Sequence, residues 1–383
     1  MQDILLKNCR VCAPERLPWK KDILVRAGKI KVIAGNIKAK GIPVLDCKGR
    51  FAVPGFIDVH IQGAGGADIF DATPAAFIKI AKTLAATGTT SFLATTALAP
   101  DNKQAHLRAI ADFMKSGNTE GAKMLGTHLE GPFINIKKKG MIRPDGILRP
   151  SVKIMKMIEK ASQGTLKMMT IAPELKGTLP LVKRFKKAGI VAAVGHTYAS
   201  YEETKAGLKA GITHATHLFN AMPPLHHREP GVLGALAADK TATVQVIADG
   251  VHLHPAVLKI IYKIFGADRI CLITDGLSPL GLGDGEYTYH GIKYSNRKGT
   301  CYYYNGTLIG TALPLNQAAK RMQSYTGASF EEIIRMLSTT PAKTLGNKSK
   351  GVLKTGKDAD IAVIDGNFKV YAALSGGKVV FNG

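Results

Sequence analysis

The sequence predicts an α/β protein: a (β/α)8 TIM-like barrel carrying a small β-sandwich domain formed from both termini. Three observations point there. From Phe51 onward, eight short apolar or β-branched runs recur, most of them separated by amphipathic stretches, several of which close on glycine. Acidic and imidazole side chains collect at the carboxyl ends of those runs, where barrels of this class build their sites. Both ends of the chain share a β-rich, turn-punctuated texture, and neither is long enough to bury a core alone.

The strand candidates, in order, are "FAVPGFIDVH", "TTSFLATTA", "MLGTHLEG", "KMMTIAPE", "IVAAVGHT", "GITHATHLFN", "ATVQVIADG" and "RICLITDG". Among the intervening stretches, "PAAFIKIAKTLAATG", "NKQAHLRAIADFMKSG", "SVKIMKMIEKAS" and "SYEETKAGLKAG" show helical periodicity. Eight strand-helix units argue for a closed barrel over an open doubly wound sheet. The barrel is expected over 53–345, and the small β domain over 1–52 and 346–383, with "DILVRAGKIKVIAG" as a hairpin within it.

Bulk properties narrow the class. At 383 residues and 45% hydrophobic, the chain can bury a large core. No apolar run approaches the roughly 18 residues of a membrane span, and Asp3 stands where a signal peptide would be basic. A cytoplasmic enzyme without membrane partners is expected. The five cysteines make no disulfide framework, and Cys9-x-x-Cys12 lacks the second pair of a zinc ribbon. A net charge of +24 would also suit a nucleic-acid binder, the rival from another class. The lysines, however, fall in short groups on helix-like segments with no interleaved aromatics, as solvated helix faces do.

The stretch "GTHLEGPF" places His128 and Glu130 on one face of a strand that ends at Gly131-Pro132. His60, His196, His217, Asp249 and Asp275 also fall at or near the carboxyl ends of strand candidates. Glu130, His196 and His217 make the two-histidine, one-carboxylate set of a catalytic divalent ion with a position left for water. Asp275 suits the general base for that water. His128 is expected to pack against the neighbouring strand.

With "PGFIDVHIQGAGG", "HLEGPF", "VGHTYA", "ATHLFNAM", "REPG", "ADGVH", "LITDG", "LIGTA" and "GKDADIAVID" in this order, the chain resembles the N-acetylglucosamine-6-phosphate deacetylases of the amidohydrolase superfamily over essentially its whole length. The resemblance implies metal-dependent hydrolysis of the acetamide of an N-acetyl-amino-sugar 6-phosphate; one divalent ion per chain is expected, because the amide of Gln62 is a poor ligand for a second. Zinc is the expected ion, with iron, cobalt or manganese as alternatives. It implies Glu130, His196 and His217 as metal ligands, Asp275 as acid and base, and a substrate site from Met141, Asn220, Ala221, Arg228, His252, Leu308, Ile309 and Gly310. It further implies a homodimer in which part of the phosphate site crosses the interface. His60 and Gln62 form a candidate second metal site that lacks one ligand, because Gln62 stands where two-metal members carry the second histidine of H-x-H. Ile142 occupies the place where many relatives put His or Gln beside the substrate, so Arg143 or backbone N–H groups are the candidates to replace it. A deacetylase for the galactosamine epimer, or another N-acyl amidohydrolase, is the closest alternative.

Overall fold

Strands buried on both faces carry near-continuous apolar runs, and such strands pair in parallel under a layer of helices. In the computed structural model, which describes residues 3–13, 16–100, 103–118, 120–289 and 292–383, eight do so. They are β1 (Phe56–Ile61), β2 (Thr89–Thr96), β3 (Lys123–Glu130), β4 (Leu166–Ile171), β5 (Val191–Val194), β6 (Ile212–Ala215), β7 (Thr243–Ile247) and β8 (Ile270–Ile273), adjacent in chain order. The ends of this sheet meet. Ile61 bridges Gly276 in parallel sense, the Gln62 N–H donates to Gly276 O at 2.8 Å, and Thr274 Oγ1 donates to Asp58 Oδ2 at 2.6 Å. The barrel is thus closed between β8 and β1.

Side chains alternate along these strands. Met169, Ile171, Val244, Val246, Ile270 and Leu272 face the helical layer. Ile57, Val59, Leu93, Met168, Ala193, Ile247, Cys271 and Ile273 form a separate cluster, the filled interior of a barrel. The helices start where short polar side chains can take up free backbone N–H groups. Thr73 caps Pro74–Ala86, and Ser200 with Glu203 forms a capping box on Tyr201–Ala210.

Both termini contribute to one eight-stranded sheet. Strand Phe51–Pro54 pairs with Ile361–Ile364 from the far end of the chain and with Ile4–Ala13 from the near end. The predicted hairpin is present: Arg26 faces Lys29 across Ala27 and Gly28, whose φ values of 47° and 78° are those of a two-residue turn that matches strand twist. Ile30 N–H then donates to Lys357 O, and Ala359 N–H to Gly28 O. The sheet therefore curls back on itself around Leu6, Val11, Ile23, Val25, Ile361 and Leu374.

One element is additional to the predicted pattern. Between β8 and the helix Leu315–Thr326 lies a four-stranded antiparallel sheet, Gly285–Tyr289, Ile292–Arg297, Thr300–Tyr303 and Leu308–Thr311. Its last strand returns to the barrel mouth, where Thr311 N–H donates to Asp275 O at 2.9 Å. Among the described residues, no helix is long and apolar enough to cross a membrane.

Candidate metal centre and active site

Each strand end delivers one polar side chain to the same place. Glu130 is the last residue of β3, while His196, His217 and Asp275 stand two residues beyond β5, β6 and β8. Those last three have φ values of 47°, 24° and 48°, in the left-handed region that non-glycine residues rarely occupy. Such backbone persists where the surroundings over-determine it, and it collects at functional sites. Here it turns side chains inward just as the chain leaves the barrel.

The geometry is that of a metal centre. Glu130 Oε1 lies 2.9 Å from His196 Nε2 and 2.9 Å from His217 Nε2, and the two Nε2 atoms are 3.0 Å apart. His196 Nδ1 is 2.6 Å from Lys138 O. A carbonyl only accepts, so the proton sits on Nδ1 and the Nε2 lone pair faces the carboxylate oxygen. Converging electron-rich atoms call for a cation between them. Ligand atoms of a tetrahedral ion with bonds of about 2.0–2.1 Å stand roughly 3.3 Å apart, so this set fits a divalent ion with little adjustment. Among the described residues, Glu130, His196 and His217 form a buried group able to hold such an ion.

His60 Nε2 stands 3.1 Å from Asp275 Oδ1 and 3.7 Å from Glu130 Oε2. Burial opposes charge on His60, but Asp275 and Glu130 outweigh it and push its pKa well above the usual imidazole range. Burial likewise opposes the charge on Glu130 and Asp275, and the facing histidines, His60 above all, hold both carboxyls below their ordinary range. Gln62 donates to the same Asp275 Oδ1 at 3.4 Å and reaches Met141 Sδ at 3.9 Å. His128 lies below the site: its ring contacts Val59 O and Thr170 Oγ1 and packs edge-on against His60.

A cavity of about 310 Å³ opens over this centre. Gln62, Glu130, Met141, His196, His217, Asn220, Ala221, His252, Asp275, Leu308, Ile309 and Gly310 all line it, so the expected metal ligands, Asp275 and every expected substrate residue except Arg228 are gathered here. Gly310 is required by close approach: a Cβ there would fall 2.6 Å from Asp275 O. Arg228 does not line the cavity of its own chain. It sits on an exposed loop whose fold is local, Arg228 N–H donating to His226 Nδ1. Ile142 is buried, its N–H donating to Lys139 O, and Arg143 forks onto Asp145; both line a small recess beside Gln62, Glu130 and Met141.

Three supporting groups lay outside the sequence reading. Gln245 Oε1 accepts from His60 Nδ1 at 2.9 Å and from His217 N–H at 3.2 Å, fixing both histidines from β7. A glutamine inside the apolar run "TVQVI" was the available signal. Glu174 accepts from Asn135, Thr197 and the Tyr198 N–H, clamping the turn that carries His196. The Lys138 carbonyl left no trace in the sequence, because any residue supplies one.

Comparison with known proteins identifies the family. Residues 51–382 match the model of the Amidohydrolase family. The chain is 37% identical to the N-acetylglucosamine-6-phosphate deacetylase of Bacillus subtilis, over 86% of this chain and 84% of that one. It is 34% identical to the N-acetylgalactosamine-6-phosphate deacetylase of Escherichia coli O157:H7, over 86% and 87%. Among solved structures, a mutant of the Mycobacterium smegmatis N-acetyl-D-glucosamine-6-phosphate deacetylase, in complex with N-acetyl-D-glucosamine-6-phosphate, superposes with a TM-score of 0.91 at 30% identity, covering all of both chains.

Proposed function

This chain belongs to the amidohydrolase family, and from that premise we propose that it hydrolyses the N-acetyl group of N-acetyl-D-glucosamine 6-phosphate, giving acetate and D-glucosamine 6-phosphate. The observation that carries the reading is the Glu130–His196–His217 triangle beside Asp275, inside one cavity with Asn220, His252 and the 308–310 segment. Glu130, His196 and His217 hold one divalent ion per chain, with zinc as the ion we favour on its nitrogen and oxygen donors. When bound, the ion supplies Lewis acidity toward a water and the acetyl carbonyl.

The chain's own groups do the rest. Asp275 takes the proton of the attacking water and delivers it to the departing amine nitrogen, so the same carboxyl serves as base and then acid. His60, 3.1 Å away, holds Asp275 as a carboxylate ready for the first of these steps. Asn220, Ala221 and the 308–310 segment wall the sugar, and His252 meets its phosphate. Arg228 is exposed and outside this cavity; in the homodimer that the family resemblance implies, it serves the neighbouring site. The free, buried cysteines support a cytoplasmic setting.

The galactosamine epimer is the second reading, favoured by the similarity to the Escherichia coli O157:H7 relative. Acetate release from a panel of N-acetyl hexosamines, with and without the 6-phosphate and with and without chelator, tests both. Fastest turnover of the phosphorylated glucosamine compound, abolished by chelator, is expected. Release from neither epimer would overturn the proposal.

A further inference from the structure

Asp249 stands just past the end of β7, among the strand-end acids that mark the site, yet neither the metal centre nor the proton transfers use it. Its side chain is fully buried, and all of its hydrogen bonds point to one place. Oδ1 accepts the N–H groups of Val251 and His252, at 2.9 and 2.8 Å. Oδ2 lies 2.7 Å from His252 Nδ1 and accepts from Thr300 Oγ1 at 3.1 Å. Arg321 Nη1 donates to the Asp249 carbonyl at 2.6 Å.

The carboxylate therefore joins two separate pieces of the cavity wall. His252 comes from the loop after β7, whereas Thr300 belongs to the antiparallel sheet whose last strand, Leu308–Thr311, also lines the cavity. We propose that Asp249 is a positioning residue of the phosphate subsite: it fixes His252 with Nδ1–H toward itself and Nε2 toward the cavity, and holds the 300–311 strands against that imidazole. This rests on the phosphate reading of the site given above.

The physical reasoning is that of an oriented histidine. A carboxylate accepting from Nδ1–H sets the tautomer and stabilises the imidazolium that forms when a proton reaches Nε2. With Nδ1–H kept on the carboxylate, Nε2 donates to a phosphate oxygen only when it too carries a proton, and that charge-assisted contact is stronger than one from a neutral ring. A phosphate arriving beside His252 would thus bind a ring whose countercharge is already built in. The rest of the sugar gains nothing from it.

The experiment is a double-mutant cycle between Asp249→Asn and His252→Gln in the metal-loaded enzyme, assayed with the 6-phosphorylated and unphosphorylated N-acetyl sugar. Asp249→Asn keeps the size of the side chain and an oxygen for the backbone N–H groups. We expect it to lower the preference for the phosphorylated substrate, as a ratio of kcat/KM values, by roughly tenfold, the worth of one charge-assisted hydrogen bond. In the His252→Gln background it should add little. ¹⁵N NMR of the His252 ring gives a readout independent of turnover: Nδ1 protonated in the parent, a mixed tautomer in Asp249→Asn. Equal losses on both substrates in either background, or an unchanged His252 tautomer, would overturn the inference. If the parent enzyme shows no preference for the phosphorylated sugar, the phosphate reading itself fails, and the NMR result still decides the role of Asp249.

Discussion

Asp275 and His60 are joined twice across the seam of the barrel: His60 Nε2 lies 3.1 Å from Asp275 Oδ1, and the Asp275 N–H donates to His60 O at 3.0 Å. The same seam is locked beneath by Thr274 on Asp58. The Asp275 carboxylate, the proposed proton-transfer group, is thus held by the closure of the fold.

Asp275→Asn should therefore leave the barrel and the metal in place and remove only the group that moves protons. Turnover should fall by about two to four orders of magnitude, the usual worth of a general acid–base group. Inhibitor or substrate titration of the variant should show binding within a few-fold of the parent. A collapse of binding with turnover retained would assign Asp275 to substrate recognition instead.

The metal centre makes a separate prediction. His196→Ala leaves Glu130 and His217, which already stand 2.9 Å apart, without the third donor. Bound metal, measured by mass spectrometry after dialysis, should drop well below one equivalent, and acetate release should vanish. Circular dichroism should be unchanged, because the inner and outer apolar clusters of the barrel do not include His196. Full activity in a metal-free variant would remove the basis for the site.

Fold and site were legible to different depths. The βα beat was readable because strands buried on both faces must be apolar throughout, and the helices between them carry caps and terminal glycines. The gathering of Glu130, His196, His217 and Asp275 was readable because barrel topology puts all strand ends on one rim. The four-stranded insertion is not legible from the βα period, although "GEYTY" and "TCYYY" are rich in strand formers, because an antiparallel excursion does not follow that period. The location of Arg228, and the engagement of Arg143 by Asp145, depend on loop conformation, which side-chain type alone does not fix.

A buried histidine gives a stability prediction. His214, on β6, is fully buried with Nδ1 2.6 Å from Thr243 Oγ1, and burial pushes its pKa down to about 3. The unfolded chain binds this proton near pH 6.5 and the folded chain does not, so stability is complete above pH 6.5 and falls as pH drops toward 3. Between pH 7 and 5 the loss from this one group is about 2 kcal/mol. Urea unfolding at pH 7 and pH 5 should show the parent losing about that much more than His214→Asn, which does not titrate. Parallel losses would place the acid sensitivity elsewhere.

Gln62 decides how many ions the site keeps. Strand geometry brings His60 and Gln62 to the mouth together, yet the amide donates to Asp275 Oδ1 and its nitrogen faces Met141, while His60 Nδ1 is committed to Gln245. A neutral amide oxygen is a weaker ligand for zinc-like ions than imidazole. One tightly held ion per chain is therefore expected after dialysis, at Glu130, His196 and His217. Gln62→His restores an imidazole beside His60, Glu130 and Asp275, and should raise retained metal from one equivalent toward two. It should also draw Asp275 toward the second ion, weakening it as a free base, so activity should not rise in proportion to metal content. Two equivalents retained by the parent would show that Gln62 coordinates through its oxygen. A variant that stays at one would show that imidazole at position 62 is not what the second site lacks.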